Sequence, residues 1–294
     1  MIEQPDILVL GGGGRQGDAW MTGLLAGLEA AHAVDLRACD YFVGTSAGSI
    51  VAAKLLRGRR PRRVDSGPPS SGSSRATADW QSPLPKWTAD SLMAIAAPLA
   101  QLAIGVGRTP GEMLRRAALP LLPASAGDAL DFREAFPPDE VRFDGRLRVA
   151  AVDRRAGRRV VFGSPGAPAA TVAQALSASC ALPLVFAPAV IGGREYVDGA
   201  VWSPTNADVA PVSRDAEVLI LAPMASLYGP FNAPVRAASR ATMLVEASAL
   251  KMRGARVRII SPDRKSALSI GRDLMSGSDL EQTQTAGYAQ GMSL

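Results

Sequence analysis

Tyr41-Phe42-Val43-Gly44-Thr45-Ser46-Ala47-Gly48-Ser49-Ile50 joins a short apolar run to a helix-forming run, Ser49 to Leu56, through the pattern Gly-x-Ser-x-Gly. A serine on a sharp strand-to-helix turn points its hydroxyl out of the fold. Gly44 and Gly48, two residues before and two after, let the chain turn without a clash. The helix that follows aims its positive end at the serine oxygen and favours an alkoxide or a nearby oxyanion. Ser46 is therefore a candidate nucleophile on an elbow. The bland alternative is a strand-turn-helix with an incidental serine.

One count constrains the mechanism. The chain holds a single histidine, His32, in Leu28-Glu29-Ala30-Ala31-His32-Ala33 at the end of an alanine-rich helical run. A Ser-His-Asp triad needs a histidine as base, and nothing around His32 is arranged for that task. It reads as a solvated helix-end residue. The base for Ser46 is then expected to be a carboxylate or a lysine.

Upstream, Asp6-Ile7-Leu8-Val9-Leu10 is a continuous apolar run of strand length, as for a strand buried on both faces of a parallel sheet. It feeds Gly11-Gly12-Gly13-Gly14-Arg15-Gln16-Gly17, and from Asp18 to Ala33 apolar residues fall at helical spacing. Strand, glycine loop, helix, strand, elbow and helix make a βαβα unit with right-handed crossovers. Gly12 to Gly17 also matches the dinucleotide fingerprint, so a nucleotide-binding protein is a rival of another class. That fingerprint wants an acidic residue at the end of the second strand. Here the second strand ends in the elbow, and Asp40 lies at its wrong end. The alternative is an oxyanion hole, in which backbone N–H groups of Gly12, Gly13 and Gly14 face a developing negative oxygen. One such donor is typically worth about 3–4 kcal/mol of barrier.

The 294 residues carry 32 Lys+Arg against 27 Asp+Glu, a net charge of +5. That excess suits an anionic partner but is too small to argue nucleic acid. Two cysteines, Cys39 and Cys180, make no disulfide framework and read as small buried residues in a reducing compartment. The first six residues lack the features of a signal peptide, and the longest apolar stretch, Leu92 to Val106, is too short to span a bilayer. A soluble, cytoplasmic protein is expected. No His/Cys/Asp/Glu cluster has metal-ligand spacing, so neither metal nor cofactor is expected.

From Arg57 to Pro85 arginine, proline, serine and glycine dominate, which reads as a mobile insertion. Its Arg57-to-Arg63 cluster is either a solvated loop or a transient contact with a membrane surface. Ala89 to Val106 and Thr109 to Leu119 are helical, and with the apolar stretch Leu92 to Ile104 they read as a cap over a site or simply as core helices. Arg146 to Asp153 and Arg158 to Gly163 read as a hairpin, and Thr171 to Ala181 as a helix with Thr171 as N-cap. Val190 to Tyr196 turns at Gly192-Gly193. Glu217 to Ala222 and Val257 to Ile260 are strands flanking a helix from Pro234 to Met252, and the chain after Gly271 is weakly helical. Ser49, Ser177 and Ser179 read as ordinary helix serines. Asp153, Asp208 and Lys54 are weak candidates for the base. Asp198, in Asp198-Gly199-Ala200, reads from position alone as a turn aspartate.

The ordered set of the glycine loop, Gly44-Thr45-Ser46-Ala47-Gly48 and Asp198-Gly199-Ala200, with a helical Leu-Pro segment (Ala175 to Pro183) before the aspartate, resembles the patatin-like phospholipase family. The resemblance covers roughly Ile7 to Ala210. It implies an α/β protein of three α/β/α layers with a mainly parallel central sheet and a helical or disordered insertion, residues 57–125, after the nucleophile helix. It implies a domain over residues 7–210, with 211–294 as an α/β extension packed on it. It also implies a Ser46–Asp198 dyad without histidine, which agrees with the histidine count. Asp198 would be the base, its carboxyl raised above the usual value of about 3.9 by an apolar setting. Gly17, Gly44, Gly48, Gly199 and Ala200 would support the motifs. The implied activity is hydrolysis of fatty acyl esters of phospholipids or neutral lipids. An acyltransferase or thioesterase with the same dyad, and a catalytically silent lipid binder, are the alternatives. One departure stands out. The family usually has Arg or Lys directly before the last glycine of the loop, where this chain has Gln16, with Arg15 one place earlier.

Overall fold

The computed structural model describes residues 2–62, 116–122 and 127–294. The insertion after Arg62, the candidate cap Leu92 to Ile104 and most of the Thr109-to-Leu119 helix lie outside the described residues.

Among the described residues eight strands form one sheet. They are β1 (Ile7–Leu10), β2 (Tyr41–Thr45), β3 (Leu147–Asp153), β4 (Arg158–Phe162), β5 (Ala189–Ile191), β6 (Arg194–Asp198), β7 (Glu217–Leu221) and β8 (Arg256–Ile260). The order is β5-β6-β3-β2-β1-β7-β8, with β4 also pairing β3. Neighbours from β3 to β8 run parallel, while β4 and β6 are antiparallel to β3 and β5 is antiparallel to β6. The helices are α1 (Gly14–Ala31), α2 (Ala47–Leu56), α3 (Val172–Cys180), α4 (Ala233–Met252), α5 (Arg264–Ile270) and α6 (Leu280–Met292).

Alternation along the strands builds three layers. Leu8, Leu10, Phe42, Leu219 and Leu221 share one core with Trp20, Leu24, Ile50 and Leu176 of α1, α2 and α3. Ile7, Val9, Val43, Val218 and Ile220 face the other way, onto Met243, Ala247 and Leu250 of α4. Both faces of the central strands are covered, which is why their sequences are continuous apolar runs. Among the described residues no helix is long and apolar enough to cross a membrane.

The structure departs from the sequence expectation at three places. Helix α1 starts at Gly14, not Asp18. Gly17 N–H donates to the Gly13 carbonyl at 2.8 Å, so the glycine run itself forms the first turn. The sequence reading passed over α5, although Asp263 caps it by accepting from Ser266 N–H at 2.7 Å. The weakly helical C-terminus becomes α6, which packs along α1 by close backbone approach rather than by an apolar stripe. A Cβ at Gly23 would run into the carbonyl of Gln284, and one at Gly287 into that of Trp20. Trp20 Nε1 donates to Gln290 Oε1 at 2.9 Å across this contact.

Candidate active site

Ser46 sits between β2 and α2 with φ 51° and ψ −125°. A non-glycine residue there costs on the order of 1–3 kcal/mol and persists only where its surroundings hold it. They do so from both sides of the residue. Ser46 N–H donates to Ser179 Oγ at 2.8 Å. Its carbonyl accepts from Ser49 N–H at 2.8 Å and from Ser49 Oγ at 2.6 Å. The Ser46 hydroxyl makes no capping bond with α2 and stays available for chemistry. The flanking glycines are required by close approach. A Cβ at Gly44 would run into the backbone of Ser49, and one at Gly48 into the Leu10 carbonyl at the end of β1.

The register of β3 explains how Asp198 reaches Ser46. Val149 to Asp153 pair with β4 along one edge. The other edge is shared: β2 occupies it up to Thr45↔Ala150, and β6 takes over at Ala151↔Asp198. The chain leaving β2 and the end of β6 therefore meet on adjacent rungs. At that break the Ser179 hydroxyl, on α3, accepts from Ser46 N–H and donates to the Ala150 carbonyl at 2.7 Å. It satisfies the two backbone groups that the elbow pulls apart.

Asp198 is 2% exposed. Burial pushes its carboxyl up to about 7, while hydrogen bonding from the Ala200 N–H and the Ser46 hydroxyl pulls it partly back. Ala200 N–H donates to Asp198 Oδ1 at 2.8 Å, so this position contributes only its backbone. A Cβ at Gly199 would run into the Ala150 carbonyl. The Cys180 thiol also lies against the Ser46 and Ser49 hydroxyls. Burial, and then the nearby Asp198 charge, hold it well above the usual thiol range, so it stays neutral.

The glycine loop passes over the serine, with the Cβ position of Gly12 standing 3.4 Å from Ser46 Cβ. Its three expected donors are not equivalent. Gly12 N–H is committed to the Pro204 carbonyl at 2.8 Å. The N–H groups of Gly13 and Gly14 have no hydrogen-bond partner among the described residues, which narrows the candidate oxyanion donors to these two. Gly17 belongs to the first turn of α1, with its Cβ position 3.3 Å from the Pro223 ring. Gln16 N–H, which a pyrophosphate at this helix start would need, donates to the Leu274 carbonyl at 3.0 Å.

The departure at Gln16 has a structural reason. Its side chain is 2% exposed. Nε2 donates to the Ser276 and Ser278 carbonyls at 3.2 and 2.7 Å, and Oε1 accepts from Thr283 Oγ1 at 2.7 Å. The residue ties the glycine loop to the segment before α6. Arg15 has its guanidinium against Gly277 of the same segment.

The other candidate bases are occupied elsewhere. Asp153 accepts from Ala156 N–H at 2.7 Å and pairs with Arg194 at 3.0 Å. Asp208 meets Arg159 through both carboxylate oxygens at 2.6 and 2.7 Å. Lys54 pairs with Asp18 at 3.2 Å. His32 caps the far end of α1, an 18-residue helix, roughly 27 Å from the glycine loop. Among the described residues no three His, Cys, Asp or Glu side chains converge as a metal site.

Ser49 and Ser179 are the residues that sequence reasoning passed over. Nothing local separates Ser179 from Ser177, whose hydroxyl bonds back to the Ala173 carbonyl at 3.0 Å. Ser179→Ala leaves Ser46 N–H and the Ala150 carbonyl unpaired in a buried site. The expected result is a stability loss of about 1–3 kcal/mol. A drop of about 10- to 100-fold in the rate of fluorophosphonate labelling should accompany it, because the serine is no longer held in place. Denaturant melts and labelling time courses check both.

A strained serine on a strand-to-helix elbow, a buried aspartate beside it and a glycine loop above it lie together on the three-layer α/β/α sheet. The family model of the patatin-like phospholipases matches residues 8–211, and the chain belongs to that family. No curated protein matches. Among known structures, VipD from Legionella pneumophila is similar at 15% identity and a TM-score of 0.47, covering 99% of this chain and 66% of its own. The type III effector ExoU is similar at 18% identity and a TM-score of 0.38, covering 99% of this chain and 52% of its own. The chain thus spans about two thirds and about half of the length of these two proteins.

Proposed function

We propose that this chain is a lipid acyl hydrolase of the phospholipase A type, acting through Ser46 and Asp198. Ser46 Oγ attacks the acyl ester carbonyl while Asp198 accepts its proton. The carbonyl oxygen becomes an oxyanion facing Gly13 N–H and Gly14 N–H, with the start of α2 adding its positive end. Asp198 then returns the proton to the departing alcohol, leaving an acyl-Ser46 ester. Water attacks that ester, giving its proton to Asp198, and Asp198 passes that proton to Ser46 Oγ as the acyl–oxygen bond breaks and the fatty acid leaves. The observation that carries this reading is Asp198. It is a carboxyl buried beside the elbow serine, with its proton affinity raised to about 7, where a carboxylate can act as a base at neutral pH.

The test is fatty-acid release from phospholipid and neutral-lipid vesicles by wild type and Ser46→Ala, with and without an acceptor alcohol. Serine-dependent release of free acid is the expected outcome. Transfer to the alcohol in preference to water would replace hydrolase by acyltransferase. Release that survives in Ser46→Ala would overturn the dyad.

A further inference from the structure

The three motifs of the site touch one short segment, Ser203–Ala207, which none of them contains. Pro204 offers its carbonyl to Gly12 N–H at 2.8 Å. Thr205 offers its carbonyl to Thr45 Oγ1, next to the nucleophile, at 3.3 Å. Asn206 is fully buried in the left-handed conformation, with φ 49°. Its Nδ2 donates to Thr45 Oγ1 at 3.1 Å, to the Gly199 carbonyl, next to Asp198, at 3.3 Å, and to the Ser203 carbonyl at 2.6 Å. Ser203 Oγ braces the segment by accepting from the N–H groups of Thr205 and Asn206 at 3.2 and 3.1 Å. The glycine loop, the elbow strand and the aspartate turn are thus pinned to a single loop.

What fixes that loop to the body of the fold is Glu246, on α4. It lies outside the family-matched segment and on the face of the sheet opposite α1 and α2. Its Oε2 accepts from Thr205 Oγ1 at 2.5 Å and from Ala207 N–H at 2.8 Å. The side chain is 7% exposed. The Ser203 hydroxyl also donates to this carboxyl. A buried carboxyl with three donors aimed at it from one loop is costly to place unless those bonds form. We infer that Glu246 is a positioning residue for the site: by holding Ser203–Ala207 against α4, it keeps the Gly12 loop, Thr45–Ser46 and Asp198–Gly199 in their relative places. This inference rests on the hydrolase reading for its catalytic consequence, while its geometric content stands on the contacts themselves. Burial, with the Asp208 charge adding to it, pushes the Glu246 carboxyl up to about 7. A neutral acceptor of the same shape should therefore serve, and glutamine is the conservative replacement.

The test uses the full chain with Glu246→Ala, Glu246→Gln and Thr205→Val. Hydrogen–deuterium exchange of peptides spanning residues 11–14 and 203–207 is read together with the rate of fluorophosphonate labelling. In Glu246→Ala both peptides should exchange about tenfold faster or more, while α1 and α6 keep their protection. Labelling should slow by about 10- to 100-fold, with kcat on a lipid ester falling more than KM rises. Glu246→Gln should restore exchange and labelling to within about threefold of wild type. Thr205→Val removes one of these bonds, and should speed exchange in the same two peptides if Glu246→Ala fails to fold. Faster exchange confined to 203–207, with the glycine-loop peptide and the labelling rate unchanged, would overturn the inference. A folded wild type that is never labelled would count against the hydrolase reading instead, and the exchange data would still decide the coupling.

Discussion

Asp198→Asn should cost nearly all turnover and, above neutral pH, yield a more stable protein. Asparagine keeps Oδ1 as acceptor for Ala200 N–H but cannot take a proton from Ser46. Loss of the base is expected to lower kcat by about a thousandfold to ten-thousandfold. The stability change follows from the raised proton affinity. Below the unfolded value of 3.8 both states are protonated and the carboxyl contributes no pH dependence. Between 3.8 and about 7 the folded protein holds a proton that the unfolded chain releases, so stability falls as pH rises through this window. Above about 7 the full cost of a buried carboxylate is present, up to about 4 kcal/mol for a shift of this size. Asparagine stays neutral throughout, so the gap between variant and wild type should open across that window. Urea melts at pH 4, 6 and 8 measure it. Wild-type turnover should run the other way, rising with pH to a plateau above about 7, because only the ionised carboxylate can act as a base. A variant that is both inactive and destabilised at pH 8 would contradict this account. The trade of stability for function is the usual one at a strained site.

Gly48→Ala is expected to break the elbow outright. The added methyl would point at the Leu10 carbonyl. That neighbour is backbone in a fully buried strand, not the end of a side chain that can swing away. Either α2 lifts off the sheet or β1 shifts, and both disturb the glycine loop that follows Leu10. A loss of about 3–5 kcal/mol is expected, at the upper end for overpacking. The fraction that does fold should not be labelled at Ser46. Guanidinium unfolding together with intact-mass labelling reports both effects. A stable Gly48→Ala protein with normal labelling would show that the elbow tolerates what the packing forbids.

The elbow, the buried β1 and the two hairpins were legible in the sequence because their signals are local. Gly-x-Ser-x-Gly lies between an apolar run and a helix-forming run, Gly192-Gly193 makes a turn, and Thr171 caps α3. The cap is reciprocal: Thr171 Oγ1 accepts from Gln174 N–H, and Gln174 Oε1 from Thr171 N–H. Asp198 became a candidate base only through the order of the motifs and the lack of a second histidine. Illegible were the groups that act across long sequence separations. Ser179 sits on a helix far downstream of the peptide it holds, and Gln16 reaches across most of the chain to the segment before α6. Glu246 falls on the buried face of α4, three residues after Met243 and four before Leu250, but nothing local names its partners, which lie about forty residues upstream. The start of α1 was misplaced because glycines are poor helix formers, and here tertiary contacts to Leu274 and Pro223 override that propensity. Likewise α6 has little apolar periodicity to read, because it packs through glycines that let two backbones touch.

The central claim is that Ser46 is an activated nucleophile. Intact mass after treatment with a fluorophosphonate tests it most directly, on wild type and Ser46→Ala side by side. One covalent adduct on wild type and none on Ser46→Ala is the expected result. An adduct that persists in Ser46→Ala, or a well-folded wild type that takes none, would contradict it.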